Sequence, residues 1–275
     1  MCRIGYCQYF PVSFLLLGWE LCAWYCRHIF IGNRRCNAMI WAELKKLKRH
    51  YLLPLSIGVV VLSSLLALFQ LTGAANSVVG YLPLTDGILW NNITLTFPFL
   101  ITFFGSYLMN REYSEDTLKN NLIVPVSYSK LKFAKIAITV FATFLFIAVS
   151  FLCSIVFALV LQYPFNLADI GMAFWKLLVT GISCLIAVMP IIAFFSLKRN
   201  LFLAGTCVAF VYGFCGIFVA NTHFTSWYPT TTGLSIIKYA PNSANYQISV
   251  SIFVLAICLF ISLFIISVIR RKRDD

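Results

Sequence analysis

Six stretches of this chain are each apolar for long enough to cross about 30 Å of hydrocarbon, a distance that takes roughly 20 residues of helix at about 1.5 Å apiece. They run over 52–72, 93–109, 136–161, 177–197, 201–220 and 250–269, each bounded by charge, by Gly, Pro or Asn, or by aromatic residues suited to an interface. In lipid only helices and closed barrels satisfy every backbone N–H and C=O, and unbroken apolar runs of this length are helices. The expected fold class is therefore an all-α membrane protein with six transmembrane helices. Composition agrees: 61% of the 275 residues are hydrophobic and 11% are charged, against about 45–50% and about 25% in soluble domains. Once the spans are set aside only short loops remain, with no room for a separate catalytic domain.

The basic residues fix the expected orientation. Fifteen Lys and Arg flank one side of the spans: Lys45 to Arg49, Arg111 to Lys135, Lys198 with Arg199, and Arg270 to Arg273. The opposite segments, 73–92, 162–176 and 221–249, hold only Lys176 and Lys238. Cytoplasmic loops carry the excess of Lys and Arg, so both ends of the six-span unit are expected inside. The net charge of +12 is explained by this flanking pattern, and no nucleic-acid partner is implied.

Residues 1–38 do not share the pattern. They hold five of the ten cysteines and carry Glu20 within an apolar run. One reading makes them a translated upstream segment with Met39 as the true start; another makes them an extra, weakly apolar span. A signal peptide lacks its strongly basic start and its small-residue cleavage site here. The first reading is preferred because an ordered amphipathic segment follows Met39 at once. Ile40, Leu44, Leu47 and Tyr51 recur at helical spacing, with Lys45, Lys46, Lys48 and Arg49 mostly on other faces. Such a helix lies along a membrane surface, its apolar stripe in the acyl boundary and its amines among anionic headgroups. An ordinary basic flank of the first span would show the same residues.

None of the six stretches contains Asp, Glu, Lys, Arg or His. Ion-coupled carriers use ionisable groups inside the membrane to bind and release the coupling ion, and charged selectivity rings are missing as well. His28, His50 and His223 all lie outside the stretches, so no catalytic, cofactor or metal site is expected there. The phosphate-cradling sequence Gly-x-x-x-x-Gly-Lys-[Ser/Thr] does not occur. If cargo is moved uphill, the energy must come from another chain.

The longest cytoplasmic connection, residues 110–132, contains Glu112, Glu115 and Asp116. Ser114 is placed to cap a helix whose first turn is acidic, which suits its positive end. Leu118 and Leu122 share a face, and Pro125 ends it. The residues alone are equally those of a solvated connector. The run Arg111-Glu112-Tyr113-Ser114-Glu115-Asp116-Thr117-Leu118-Lys119-Asn120, continuing to Pro125-Val126-Ser127 and Lys130, resembles the loop after the second span in ABC-2 type permeases. It looks closest to the bacitracin-transport and lantibiotic-immunity permeases, although Tyr128 stands where many of these carry Arg.

That resemblance implies a fold with an amphipathic elbow helix (Ile40, Leu44, Lys45, Lys46, Leu47, Lys48, Arg49) and a cytoplasmic coupling helix. It further implies a bacterial plasma-membrane location and a second permease copy or paralogue. ATP and Mg would sit on a cytoplasmic ABC ATPase subunit, leaving no cofactor on this chain. Glu112, Glu115, Asp116, Thr117 and Leu118 would meet the ATPase, with Pro125 fixing the loop's exit. The implied activity is export of a hydrophobic or amphipathic peptide antibiotic or drug; a non-transporting anchor or sensor for such a peptide is the alternative. Trp227, Tyr228, Tyr239 and Tyr246 are expected at the outer interface.

Overall fold

The computed structural model describes residues 51–73, 80–114, 128–195, 201–220, 222–239 and 246–274. Among them every regular element is helical: α1 (Leu52–Gly73), α2 (Tyr81–Asn91), a π-turn (Asn92–Thr96), α3 (Phe97–Ser114), α4 (Tyr128–Val160), α5 (Leu167–Phe195), α6 (Phe202–Val219), α7 (Thr232–Ile236) and α8 (Ile248–Asp274). Six helical stretches are long and apolar enough to span a bilayer, with α2, the π-turn and α3 joined into one second span, Tyr81–Asn110.

Two spans begin earlier than hydropathy alone indicates, the second by twelve residues and the fourth by ten. For the second span the reason is burial by protein; the added residues of the fourth are mostly exposed, Leu167 and Trp175 among them, and its hydropathy is lowered there by Asp169, Gly171 and Lys176. The apolar window of the second span is 72% buried, against 22% for α1 and 28% for α6 and α8. A helix surrounded by other helices can carry Thr85, Asp86 and Asn91 at little cost in lipid contact, so its hydropathy falls while its helical backbone continues. Leu84 and Ile88, at i and i+4, supply the fully buried stripe of this early segment. Helix α5 starts on a local cap, with the Asn166 backbone N–H donating to Asp169 Oδ2 at 2.9 Å.

Helix α4 ends by a left-handed residue. Gln162 adopts φ 55°, the Tyr163 N–H donates to the Ala158 carbonyl at 2.9 Å and the Gln162 N–H to that of Leu159 at 3.3 Å. Orphan carbonyls are thereby satisfied, and Pro164 prevents continuation.

The middle of the second span is bent by its own sequence. Pro98 has no N–H to give the carbonyl of Thr94 four residues earlier, and the helix widens into the π-turn just before it. Gly213 of α6 occupies the space against this freed carbonyl: a methyl built there would lie 2.6 Å from the Thr94 oxygen and 2.7 Å from Pro98 Cγ. Gly205, Ala209, Gly213 and Gly216 form the buried stripe of α6, and small residues let membrane helices approach closely. The contact continues through Phe99 against Phe210 and through Phe103 and Tyr107 against Phe202.

Gly213→Ala should therefore destabilise the protein by about 1–3 kcal/mol through overpacking against backbone. Gly58→Ala in α1, where nothing lies within 4 Å of the added methyl, should be neutral. Thermal unfolding of both variants in one lipid or detergent tests this; equal melting temperatures would contradict the packing argument.

Candidate functional site

The second span carries most of the polar chemistry inside the bundle. At the π-turn it is tied to two neighbours by side-chain hydrogen bonds. Asn91 Nδ2 donates to Gln70 Oε1 of α1 at 3.0 Å, Thr96 Oγ1 to Ser63 Oγ of α1 at 2.7 Å, and Asn92 Nδ2 to Ser150 Oγ of α4 at 2.9 Å. Asn91 and Asn92 are buried, so these bonds replace water that lipid cannot supply, each stabilising by about 1 kcal/mol. They hold the bent segment in register.

Nearer the end of the bundle poor in Lys and Arg, Lys176 Nζ of α5 meets Asp86 Oδ1 of α2 at 2.7 Å, with 17% and 27% of the two side chains exposed. The six stretches read from sequence contained no ionisable group because they began after both residues; the observed helices include them. The pair is neutral as a unit and stands in the outer part of each span, at the sixth residue of the second and the tenth of the fourth. It joins the second and fourth spans across 90 residues of sequence.

Tyr239 stands beside this pair. Its ring stacks on Trp90 with centroids 5.9 Å apart, and its hydroxyl reaches the Asp86 carbonyl oxygen at 3.5 Å, the outer limit of a hydrogen bond. Burial, then the Asp86 carboxylate, then Tyr246 push the Tyr239 phenol up to about 12. Residues 225–235 are folded back against α5, α6 and α8. Ser226 and Ser235 share a 2.9 Å hydrogen bond, Thr231 Oγ1 donates to the Thr225 carbonyl at 2.8 Å, and a methyl at Gly233 would lie 3.0 Å from Thr180 Cα. Tyr228 also turns inward, its hydroxyl donating to the Tyr212 carbonyl at 2.6 Å. Of the aromatic residues expected at an interface, Trp227 is exposed, whereas Tyr228 and Tyr239 serve packing.

The residues expected to meet a partner fall largely elsewhere. Glu115, Asp116, Thr117, Leu118 and Pro125 lie outside the described residues, as do Ile40, Leu44, Lys45, Lys46, Leu47, Lys48 and Arg49. Glu112 lies in the last turn of α3. Ser114 is the final residue of α3 and α4 begins at Tyr128; the helix that Ser114 was expected to cap lies outside the described residues. The sequence did hold signals for the sites that hydropathy passed over: Gly205-x-x-x-Ala209-x-x-x-Gly213 for close packing, and Asn91-Asn92 six residues before Pro98 for the bend.

Asp86→Asn and Lys176→Met should each destabilise the protein by about 1–3 kcal/mol, less than a fully buried pair because both groups are partly exposed. The two losses should be less than additive in a double-mutant cycle; full additivity would mean that the pair contributes nothing. Tyr239 has a folded pKa above the ordinary tyrosine value of about 10, so its contribution is whole below pH ~10 and is lost as pH rises toward ~12. Its tyrosinate absorbance, isolated as the difference from Tyr239→Phe, should titrate near 12 and shift downward in Asp86→Asn. An ordinary titration near 10 would contradict the buried placement.

Comparison with known proteins gives the family. The profile described as ABC-2 family transporter protein matches residues 39–216. A bacitracin transport permease protein of Bacillus licheniformis is 27% identical over 125 residues, which cover 45% of this chain and 60% of that protein. No solved structure matches the chain. With more than half its length matched and six spans arranged around a buried second helix, the chain belongs to the ABC-2 family of transporter proteins and is a multi-pass protein of the bacterial plasma membrane.

Proposed function

We propose that this chain is the membrane-spanning subunit of an exporter driven by a separate cytoplasmic ATPase, and that its cargo is a hydrophobic or amphipathic peptide antibiotic or drug. The observation that carries this reading is the family match over residues 39–216, which includes the acidic connection between the second and third spans. The printed function of the Bacillus licheniformis relative, bacitracin transport, supports the class of cargo. ATP and Mg would be held by the ATPase, which supplies the energy. A second permease subunit would complete the path.

The arrangement of Lys and Arg supports a cytoplasmic side for the connection between the second and third spans, where an ATPase would press on it, and an outer side for the connection between the fifth and sixth. The Asp86–Lys176 pair then stands toward the outer leaflet. It does not restore an ion-coupled mechanism, since each partner neutralises the other and neither is free to exchange an ion. Exterior faces are apolar on α1, α6 and α8, so an amphipathic molecule already dissolved in the membrane reaches the protein without crossing water.

Within the connection, Glu112, Glu115, Asp116, Thr117 and Leu118 are the groups proposed to contact the ATPase, with Pro125 setting the exit. Glu115→Lys combined with Asp116→Lys should abolish protection of cells against bacitracin while leaving membrane insertion intact. Unchanged protection in the double variant would remove this contact. Co-purification separates an exporter from an anchor or sensor: the exporter brings down a nucleotide-binding chain, and its absence from the purified complex would overturn the exporter reading.

A further inference from the structure

Among the described residues every buried Ser and Thr hydroxyl in these spans has a hydrogen-bond partner, with two exceptions; Ser154 and Ser262 donate to the carbonyl three residues earlier and Thr96 to Ser63 Oγ. Ser64, Thr94, Thr139, Thr143, Ser150 and Thr180 each donate to the carbonyl four residues earlier on their own helix. That bond is the ordinary refuge of a hydroxyl with no water to meet. Thr102 and Ser106 on α3 are fully buried, yet neither hydroxyl has a hydrogen-bond partner. One turn further, Asn110 is 3% exposed; its Nδ2 donates to the Ser106 carbonyl at 3.2 Å, and its Oδ1 is again unpartnered.

Thr102, Ser106 and Asn110 stand at i, i+4 and i+8, so they share one face of α3 and form a row about 12 Å long. An unpaired buried polar atom costs more than a hydrogen bond contributes, and three on one face of the most buried span make a repeated feature. The hydroxyls have a local acceptor within reach and do not use it. Their orientation is therefore suited to a group outside the helix.

We propose that the row Thr102, Ser106 and Asn110 is a binding site inside the subunit for neutral hydrogen-bonding groups: water molecules, or the amides and hydroxyls of a transported molecule. Both sources offer the same chemistry, a donor to Asn110 Oδ1 and a donor or acceptor to each hydroxyl. A cation or anion does not fit, because the row offers no charge of its own. The tie to a transported molecule rests on the exporter reading; the site itself rests on burial and hydrogen bonding.

The test uses the full chain in nanodiscs of phosphatidylethanolamine and phosphatidylglycerol. Thr102→Val keeps the shape of the side chain and deletes the hydroxyl. If the row is occupied, the variant strands a bound partner and its melting temperature falls by about 2–4 °C. If the row is dry, removing an unsatisfied hydroxyl leaves the melting temperature unchanged or raises it, and the proposal is overturned. Ser106→Ala, which is smaller and folds without overpacking, should shift in the same direction.

Hydroxyl radicals generated from water give an independent reading at Met109, which is 9% exposed and adjoins the row. Oxidation of Met109 should fall at least threefold in Thr102→Val/Ser106→Ala, with the exposed Met172 unchanged as internal control. No Met109 oxidation in the unmodified chain, or no fall in the double variant, would also overturn the site. Added bacitracin then identifies the source: protection of Met109 means that its polar groups enter the row, and no protection means that water occupies it. Absence of a nucleotide-binding chain from the purified complex would defeat the exporter reading and leave the nanodisc result to decide the row.

Discussion

The second span is surrounded by other helices, and that burial governs the rest of the structure. Lipid tails are as apolar as Leu, so membrane helices gain little from simple hydrophobic association and must be held by close packing and hydrogen bonds. The span supplies both. Pro98 frees the carbonyl of Thr94, the helix relaxes into a π-turn, and Gly213 lets α6 close on the exposed backbone. On the other faces Asn91, Asn92 and Thr96 bond to α1 and α4. A single irregularity in one helix thus fixes the position of three neighbours.

Hydropathy found all six spans because it measures what lipid demands of an exposed surface, and α1, α4, α6 and α8 are mostly exposed. It misplaced the starts of the second and fourth spans for different reasons. Tyr81–Asn91 is shielded by protein and so carries polar groups, whereas the first ten residues of α5 are mostly exposed and were passed over because Asp169, Gly171 and Lys176 lower their hydropathy; Asp86 and Lys176 pair with each other. The absence of ionisable groups read from sequence was true of the stretches as delimited and not of the helices as formed. Local rules fared similarly: hydroxyls in membrane helices bond back to their own backbone or across to another helix, as they do at Ser64, Ser150 and Thr180 and at Ser63 with Thr96. Thr102 does neither, and no periodicity marks it in advance. The residues offered for an ATPase contact came from a recurring motif, and all but Glu112 lie outside the described residues.

The placement of the Asp86–Lys176 pair follows from the cost of charge in low dielectric. Two opposite charges at 2.7 Å form a neutral unit whose field falls off quickly, and in the outer part of each span the groups keep partial access to water, which moderates the desolvation that a pair at mid-depth would incur. Tyr239, stacked on Trp90, stands beside the pair with its hydroxyl at the Asp86 carbonyl. The result is directional adhesion between the second and fourth spans, which nonpolar packing alone cannot provide because it tolerates sliding.

The two kinds of polar group in the second span are therefore distinct in physical role. Those at the π-turn and at Asp86 are each paired to another helix, although Asn92 also keeps an unpartnered Oδ1, and pairing converts the cost of burial into specificity of arrangement. Those at Thr102, Ser106 and Asn110 keep unpaired atoms although a local acceptor was available to both hydroxyls. A helix selected only for packing would replace them with Val, Ala and Leu, which fill similar space without a desolvation cost. Their retention in the most buried helix is intelligible if the pairing they lack is supplied by molecules that come and go, and a permease is a protein in which such visitors are expected.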